Sequence, residues 1–578
     1  MGPAALQLKL LDAVVTDSAL LSVATKWAAW AETVPLADRR VGAMVIQESP
    51  AVVHVTCRMA KLQLPVAGSQ GTRAALEAVQ AGTRLSLAQG LEAEQDLFLK
   101  VLTSQQGLAR RHAFFAVRLA QRQVQAPPKQ HALLIQKGST SQAAVHVAVI
   151  GAGTMGSGIA LVLLQAGFVV YLADVSEPAL LKGISFLRGT IESYVKRRKL
   201  TPAAAAVLQS NLLQTQDLRD LSSCQLVVEA VIEKMSVKKQ IFATLNTVTP
   251  ASAILLSNTS TLDLDQMAAA LDPARQARFA GWHFFSPAHV MKLVEIVKSA
   301  TTSSETVALL QVLTKRIDKT GVVVGNCDGF VGNRMLKPYS AETALLLAEG
   351  AGTIESVDKA FTNFGMSLGP FQMSDLAGND IGYYVRKERG WVRDDTNPFP
   401  KRPTRYTEFA DDMVSILKRF GQKAGKGWYD YDPSIGKGRT PLPSKEMADF
   451  VESYVTTPLA NRRLLSSDEI IERVFYPLVN EGFKIMEEGI ARSPSDIDVV
   501  YLYGYGWPAW RGGPMYWADT NVGLPTLLRK LQELSRAFPG TDHYEPSDLL
   551  MRCVSLGVTV EEYYSRGLHQ SQLPRSKL

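Results

Sequence analysis

The sequence is poor in cysteine, which excludes a scaffold held together by disulfides. It has four cysteines in 578 residues, and none of them is close to another: Cys57, Cys224, Cys327 and Cys553. No pair has the spacing of a zinc site or of a redox motif, so we expect no metal. Isolated cysteines of this kind are typical of a reducing compartment, where they serve as small buried apolar side chains.

The sequence also has no dense block of charge of one sign. Its net charge is +7, yet the strongest basic cluster is only the segment VKRRKL, residues 195–200. No basic segment is interleaved with aromatic residues, so we expect no nucleic-acid partner. The cluster is either a solvated helix end or a patch for an anionic ligand, such as a nucleotide phosphate carried on a substrate.

One long stretch contains no charged side chain, from Val147 to Ala173. Its length would allow a membrane span, but its internal pattern does not. A β-branched strand pattern over 145–150 is followed by glycines, a helical run over 159–165 and a second strand pattern over 168–173. We therefore predict no membrane span, and the N-terminal residues show no secretory signal.

This stretch has the order strand, G-x-G-x-x-G, helix, strand, acid, which is typical of a dinucleotide-binding site. Gly151 allows the tight turn, Gly153 lets the backbone approach a pyrophosphate, and Gly156 lets the helix pack on the strand. The alternative is a glycine turn with a purely structural role.

The start of the helix and the acid complete the predicted cofactor site. Thr154 and Met155 lie where unpaired N–H groups face the phosphates. Asp174 would accept hydrogen bonds from the ribose and repel a 2′-phosphate, so the sequence favours NAD over NADP.

Strand and helix patterns alternate from Val145 to about Val324, and the pattern is helical from Asn326 onward. The first part predicts a doubly wound α/β domain. Its candidate strands are 145–150, 168–173, 225–229, 254–257, 278–285, 292–297 and 321–324.

The helical half contains an internal repeat. The first copy begins at Leu345 and the second at Lys484. Corresponding positions are Glu349 and Glu488, Asp358 and Asp498, and the pairs Gly369-Pro370 and Gly513-Pro514. Two such units can bury one apolar face against each other, so a single chain would contain a pseudo-dimer. The segment 430–446 between them is rich in Gly and Pro and predicts an exposed loop.

His283 and Glu295 are the most informative candidates for chemistry. Each stands in a predicted strand where an apolar residue would be expected, and the turn at Ser286-Pro287 would let the two strands pair. A carboxylate beside a histidine fixes its tautomer and raises its basicity, so His283 could act as a general base. The alternative is a core histidine with a satisfied hydrogen bond.

Ser260 and Asn333 could donate hydrogen bonds to a reacting oxygen, although each could instead cap a helix or turn. Together with a dinucleotide site, these groups predict oxidation of an alcohol. Two alternative hypotheses remain: a protein that binds NAD without turnover, and a dehydrogenase of a smaller hydroxy acid.

The motifs VAVIGAGTMGSGIA, VVEAVIEKMSVKKQIF, LSNTSTL, FAGWHFFSPAHVMKLVEIV and GFVGNRM closely resemble those of the L-3-hydroxyacyl-CoA dehydrogenases of fatty-acid β-oxidation. The resemblance runs from 145 to about 565 and includes the duplicated helical domain. With the S-K-L ending, it points to the type 1 peroxisomal multifunctional branch. Ser286 departs from the monofunctional enzymes, which have Asn there, and agrees with the multifunctional branch.

The resemblance implies a role for each candidate. His283 is the base, Glu295 its partner, and Ser260 and Asn333 hold an acyl-CoA substrate. Three further residues would contact NAD: Asp174, Glu233 and Lys238.

The resemblance also implies a division into domains. Within residues 1–125, Glu94–Arg118 resembles the last helices of a crotonase domain and its linker helix, and Pro35–Ala43 resembles the stretch just before them. The rest of the crotonase core is missing from the resemblance. Enoyl-CoA hydratase activity is therefore expected to be absent. The further divisions are a linker over 126–143, a Rossmann-type domain over 144–325, a first helical domain over 326–430, a linker loop over 431–464, a second helical domain over 465–565 and a tail over 566–578.

The last three residues, Ser576-Lys577-Leu578, match a peroxisomal import address. They predict an import receptor as a partner and a location in the peroxisome or the related glycosome. The internal pseudo-dimer predicts a monomer.

Overall fold

The computed structural model describes residues 23–26, 29, 49–64, 68–122, 134, 145–395 and 397–569. Apart from residue 134, the predicted linker 126–143 lies outside them, as do Pro35–Ala43 and the S-K-L ending. The chain divides into two compact units, residues 1–104 and 105–578. All four cysteines are free, and three of them are buried.

The described part of the first unit is helical, as the sequence predicted. Its helices are α1 (Pro50–Gln63), α2 (Gln70–Gly82) and α3 (Leu87–Thr103). Helix α3 begins with a capping box, in which the side chains of Ser86 and Gln89 satisfy each other's backbone N–H groups.

The second unit opens with helix α4 (Gln105–Ala120). It buries a stripe of small residues, Ala109, Ala113, Ala116 and Ala120. Small side chains let the helix approach the neighbouring elements closely, and it packs against the second helical repeat.

An eight-stranded sheet forms the centre of the α/β domain. Its strands are β1 (His146–Ile150), β2 (Val169–Ala173), β3 (Leu212–Thr215), β4 (Leu226–Glu229), β5 (Ile254–Ser257), β6 (Phe279–Phe284), β7 (Leu293–Lys298) and β8 (Thr320–Gly325). The order is β3-β2-β1-β4-β5-β6-β7-β8, and only β6 and β7 pair antiparallel. Seven strands confirm the prediction within one or two residues, whereas β3 was not predicted.

Helices cover both faces of this sheet, which explains the near-continuous apolar character of its inner strands. They are α5 (Thr154–Gln165), α6 (Glu177–Lys196), α7 (Pro202–Ser210), α8 (Met235–Val248), α9 (Leu264–Ala268), α10 (Pro273–Gln276) and α11 (Ser304–Arg316). The uncharged stretch Val147–Ala173 is divided into β1, α5 and β2. Among the described residues, no helix has the length and apolar character needed to cross a membrane.

The remainder of the second unit is helical. Its helices are α12 (Gly332–Ala348), α13 (Ile354–Phe364), α14 (Pro370–Ala377), α15 (Asn379–Glu388), α16 (Phe409–Ser415), α17 (Lys445–Glu452), α18 (Ser467–Glu487), α19 (Pro494–Gly504), α20 (Pro514–Trp517), α21 (Leu524–Ala537), α22 (Asp548–Leu556) and α23 (Val560–Ser565). Helices α12 and α18, near whose C-terminal ends the two copies begin, pack on each other within one apolar core.

The two copies of the repeat share an aspartate that holds the next helix. Asp358 accepts hydrogen bonds from the N–H groups of Phe371 and Gln372 at the start of α14. Asp498 accepts them from Met515 and Tyr516 in α20. A Cβ at Gly369 or Gly513 would lie 2.2–2.3 Å from that carboxylate, so glycine is required in both copies. The loop between the copies is exposed over 432–437, although Tyr431 is buried and donates to Asp375.

Candidate active site

The glycine turn has the shape of a phosphate cradle. Gly151 has φ +101°, and a Cβ there would lie 2.5 Å from the carbonyl oxygen of Ala230. A Cβ at Gly156 would lie 1.7 Å from the carbonyl oxygen of Gly151, so the helix can approach β1 only without one. A Cβ at Gly153 would meet nothing within 4 Å. The absence of a side chain at Gly153 thus keeps open space at the start of α5, where Thr154 and Met155 lie, and this fits a pyrophosphate.

Asp174 follows β2, and its carboxylate lies against the glycine turn. Its Oδ2 accepts a hydrogen bond from Ala152 N at 2.8 Å, and its Oδ1 accepts one from Ser176 N at 2.9 Å. The carboxylate is half-buried beside the glycine turn, which is the position that a ribose-binding acid requires.

Glu233 and Lys238 belong to a charged cluster after β4. The Nζ of Lys238 lies 2.6 Å from Glu229 and 3.3 Å from Glu233, and its side chain is only 1% exposed. Burial alone would raise the pKa of Glu233, but the Lys238 ammonium and hydrogen bonds from Thr259 and Ser260 outweigh it, so the pKa is lowered. Glu233 keeps its charge and stays partly exposed, whereas Lys238 is buried. The predicted contact of Lys238 with NAD stays a prediction.

His283 and Glu295 lie directly opposite each other in the antiparallel pair β6–β7. Their side chains are therefore on the same face of the sheet, and His283 Nδ1 is 2.8 Å from Glu295 Oε2. Both side chains are buried, and the rings of Phe285 and Phe330 pack against the imidazole. The carboxylate accepts from Nδ1, which leaves Nε2 as the nitrogen that can accept a proton.

Glu295 has a second contact that the sequence did not reveal. Its Oε1 accepts hydrogen bonds from the N–H groups of Val331 and Gly332, at 3.3 and 3.0 Å. A carboxylate at a helix N-terminus is stabilised by the unpaired N–H groups there. Glu295 thus connects His283 to the first turn of α12, which carries Asn333.

Ser260 and Asn333 reach this region from two other segments. Ser260 lies in the loop after β5, where its backbone N–H donates to Glu233 at 2.8 Å. Asn258 of the same loop accepts from Phe284 N at 2.8 Å and so ties the loop to the strand of His283. Asn333 is the second residue of α12, and its Oδ1 accepts a hydrogen bond from the hydroxyl of Tyr505 at 2.7 Å. The sequence did not predict the contributions of Asn258 and Tyr505.

A groove of about 550 Å³ runs along α6 of this domain. Its polar lining includes Thr190, Ser193, Arg197, Lys199 and His289. Arg197 and Lys199 belong to the basic cluster singled out in the sequence, so the cluster lines a concave surface. Among the described residues, no group of three or more His, Cys, Asp or Glu side chains could hold a metal ion.

Two family models match this chain. The model described as 3-hydroxyacyl-CoA dehydrogenase, NAD binding domain, matches residues 146–327. The model described as 3-hydroxyacyl-CoA dehydrogenase, C-terminal domain, matches twice, over residues 329–431 and 470–563. The chain belongs to the 3-hydroxyacyl-CoA dehydrogenase family. It is an NAD-dependent oxidoreductase, and its helical domain is duplicated as the sequence predicted.

Two longer relatives are similar to most of the chain. The peroxisomal bifunctional enzyme of Homo sapiens is 40% identical over 557 residues, which are 96% of this chain and 75% of that protein. The glyoxysomal fatty acid β-oxidation multifunctional protein MFP-a of Brassica napus is 34% identical over 92% of this chain and 71% of that protein.

Among solved structures, the dehydrogenase part of multifunctional enzyme 1 from C. elegans is 31% identical, with a TM-score of 0.53. The match covers 76% of this chain and 96% of that chain. A 3-hydroxybutyryl-CoA dehydrogenase from Escherichia coli is 27% identical with a TM-score of 0.58, over 73% of this chain and all of the other.

Proposed function

We propose that this dehydrogenase oxidises L-3-hydroxyacyl-CoA to 3-ketoacyl-CoA in fatty-acid β-oxidation, with His283 as the general base. The assignment of His283 as the base rests on the buried hydrogen bond between its Nδ1 and Glu295. It sets the tautomer in which Nε2 accepts the proton of the substrate hydroxyl. The carboxylate then stabilises the imidazolium that forms, and Ser260 and Asn333 donate hydrogen bonds to the substrate oxygen.

The residues around the glycine turn would hold the cofactor. Gly153, Thr154 and Met155 would face the pyrophosphate, and Asp174 the ribose; Glu233 would line the nicotinamide side. NAD, when bound, supplies the acceptor for the hydride that leaves the substrate carbon.

The groove beside α6 would bind the nucleotide end of the CoA ester. Arg197 and Lys199 supply positive charge there, and Thr190 and Ser193 supply hydroxyl groups. Guanidinium and ammonium groups are suited to phosphate. Arg197→Gln should therefore raise KM for acetoacetyl-CoA but leave KM unchanged for a short thioester that lacks the nucleotide. An equal rise for both substrates would remove the groove from the CoA site.

The assignment of substrate and stereochemistry is tested by one assay of the purified chain. NADH oxidation with acetoacetyl-CoA should be rapid, and NAD reduction should occur with L- but not D-3-hydroxybutyryl-CoA. Crotonyl-CoA with NAD should give no turnover, because residues 1–125 resemble only the end of a crotonase domain. NADH binding without turnover on any of these substrates would favour a protein that keeps the fold but not the activity.

Two further properties follow as proposals. The relatives are named as peroxisomal or glyoxysomal, and with the S-K-L ending they support import into the peroxisome. A fluorescent fusion should lose this location when Ser576–Leu578 is removed.

The packing of α12 on α18 within one core supports a monomer, since the second repeat occupies the face that would otherwise be exposed. Light scattering at a mass near 63.1 kDa would agree with this.

A further inference from the structure

The second helical repeat contacts the predicted substrate site through the aromatic segment at the end of α19. Helix α19 ends at Gly504, and the next residue, Tyr505, places its ring against Phe285, which in turn packs on His283. The ring of Tyr505 also lies against the start of α12, because a Cβ at Gly332 would be only 2.6 Å from it. Tyr505 is thus held from two sides.

The packing of α19 leaves Tyr505 little freedom. Its ring stacks on Tyr501, with centroids 4.8 Å apart, and the hydroxyl of Tyr501 donates to the carbonyl oxygen of Gly332 at 3.2 Å. A Cβ at Gly504 would lie 2.7 Å from Leu293, so the helix end is seated closely on the strand that carries Glu295. A side chain held in this way can orient another group with little loss of conformational entropy.

The contact between Tyr505 and Asn333 has a defined polarity. An asparagine amide has an acceptor end, Oδ1, and a donor end, Nδ2, and only the donor end can stabilise negative charge on a substrate oxygen. The Tyr505 hydroxyl donates to Oδ1 at 2.7 Å. Burial and the nearby Tyr501 and Glu295 raise the pKa of Tyr505 well above its usual value, so the hydroxyl keeps the proton that it donates.

We propose that Tyr505 is a positioning residue for the dehydrogenase reaction: it fixes the Asn333 amide so that Nδ2 faces the substrate oxygen. This rests on the role proposed above for Asn333. Rotation of the amide by a half turn would present Oδ1 to the substrate oxygen, and it would leave the Tyr505 hydroxyl facing an NH₂ group.

A comparison of the two copies of the repeat shows that only the second has a tyrosine at this position. Helices α13 and α19 have the same length of 11 residues, and the shared aspartate is the fifth residue of each. The residue after α13 is Gly365, and the residue after α19 is Tyr505. The first copy therefore has no hydroxyl at this position, and we infer that the second copy contributes to catalysis as well as to the core.

A double-mutant cycle tests the proposal. Tyr505→Phe keeps the ring and removes the hydroxyl, so kcat with acetoacetyl-CoA should fall about tenfold, the effect of one lost hydrogen bond that matters in the transition state. KM and the Kd for NADH should stay nearly unchanged. In an Asn333→Ala background the same substitution should have no further effect on kcat. Tyr503→Phe, an exposed tyrosine two residues earlier, is the matched control and should leave kcat unchanged.

The outcomes separate this proposal from the one on which it rests. If Tyr505→Phe lowers kcat equally in both backgrounds, Tyr505 does not act through Asn333 and the proposal is wrong. The same conclusion holds if it leaves kcat unchanged in the chain with Asn333. Full activity of Asn333→Ala alone would instead overturn the substrate-holding role of Asn333 and the positioning role with it.

Discussion

Glu295 joins His283 to the helix that carries Asn333. One carboxylate oxygen accepts from His283 Nδ1 at 2.8 Å, and the other accepts from Gly332 N at 3.0 Å. A single buried side chain thus orients the proposed base and fixes the first turn of α12. Glu295 therefore positions both the proposed base, His283, and the helix turn that carries Asn333, the proposed hydrogen-bond donor to the substrate oxygen.

Glu295→Gln should lower kcat by about 100-fold or more, because the amide cannot stabilise a protonated imidazole as a carboxylate does. The affinity for NADH should change little, since Glu295 does not lie at the glycine turn. Steady-state kinetics with acetoacetyl-CoA measures the first effect, and a fluorescence titration the second. Glu305→Gln, on the exposed first turn of α11, is the control. A variant with near-normal kcat would show that the carboxylate charge is dispensable.

Two glycine substitutions should separate cofactor binding from folding. A Cβ at Gly153 meets no protein atom within 4 Å, so Gly153→Ala should fold with unchanged Tm and bind NADH weakly. A Cβ at Gly156 would lie 1.7 Å from a carbonyl oxygen, so Gly156→Ala should lose about 1–3 kcal/mol of stability. Thermal denaturation and NADH titration of both variants measure the contrast. Normal NADH affinity in Gly153→Ala would mean that the cofactor phosphates lie elsewhere.

The choice of cofactor should depend on Asp174. Asp174→Ala removes the charge that repels a 2′-phosphate and the predicted acceptor for the ribose hydroxyls. The Kd for NADH should rise, while the Kd for NADPH falls or stays the same. The preference for NADH over NADPH should therefore become smaller. An unchanged ratio of the two Kd values would exclude Asp174 from the ribose site.

The pair formed by His112 on α4 and Asp498 on α19 should make stability depend on pH. Nε2 of His112 lies 2.8 Å from Oδ2 of Asp498. Burial alone would lower the pKa of His112, but Asp498, with Glu561 and Asp519 nearby, raises it above its ordinary value of 6.5. The folded state therefore favours the protonated ring. Its contribution is complete below about pH 6.5 and is lost as the pH rises through the raised pKa.

Thermal denaturation between about pH 6 and pH 9 measures this effect. His112→Gln should have a lower Tm than the wild type at the acid end and nearly the same Tm at the alkaline end. His289→Gln is a useful comparison, because burial lowers the pKa of His289 and its contribution has the opposite sign. Parallel curves for the wild type and His112→Gln would show that the pair does not couple stability to pH.

Much of the fold could be predicted because its signals are local. The strand patterns, the glycine turn and the repeat each lie within a short window of sequence, and the pairing of the strands that carry His283 and Glu295 was expected from the turn at Ser286-Pro287 between them. Strand β3 was missed because LLQT has only two apolar residues and lies at the edge of the sheet, where three of its four residues are not fully buried.

The parts of the site that could not be predicted depend on distant contacts. Tyr505 is 172 positions from Asn333, and its neighbours on both sides are also aromatic or glycine, so nothing local distinguishes it. The signal that could have found it is the difference between the repeats, Gly365 against Tyr505. The family resemblance implied that Lys238 contacts NAD, but a one-dimensional pattern cannot show that Glu229 holds its ammonium inside the domain.

The central claim is that His283 is the base of an NAD-dependent hydroxyacyl-CoA dehydrogenase. The most direct measurement compares kcat of the wild type and His283→Gln with acetoacetyl-CoA and NADH, alongside the Kd for NADH. We predict a loss of about 10²–10⁴-fold in kcat with an unchanged Kd, because the substitution removes proton transfer and leaves the cofactor site intact. A variant that keeps the wild-type kcat would contradict the assignment of the base.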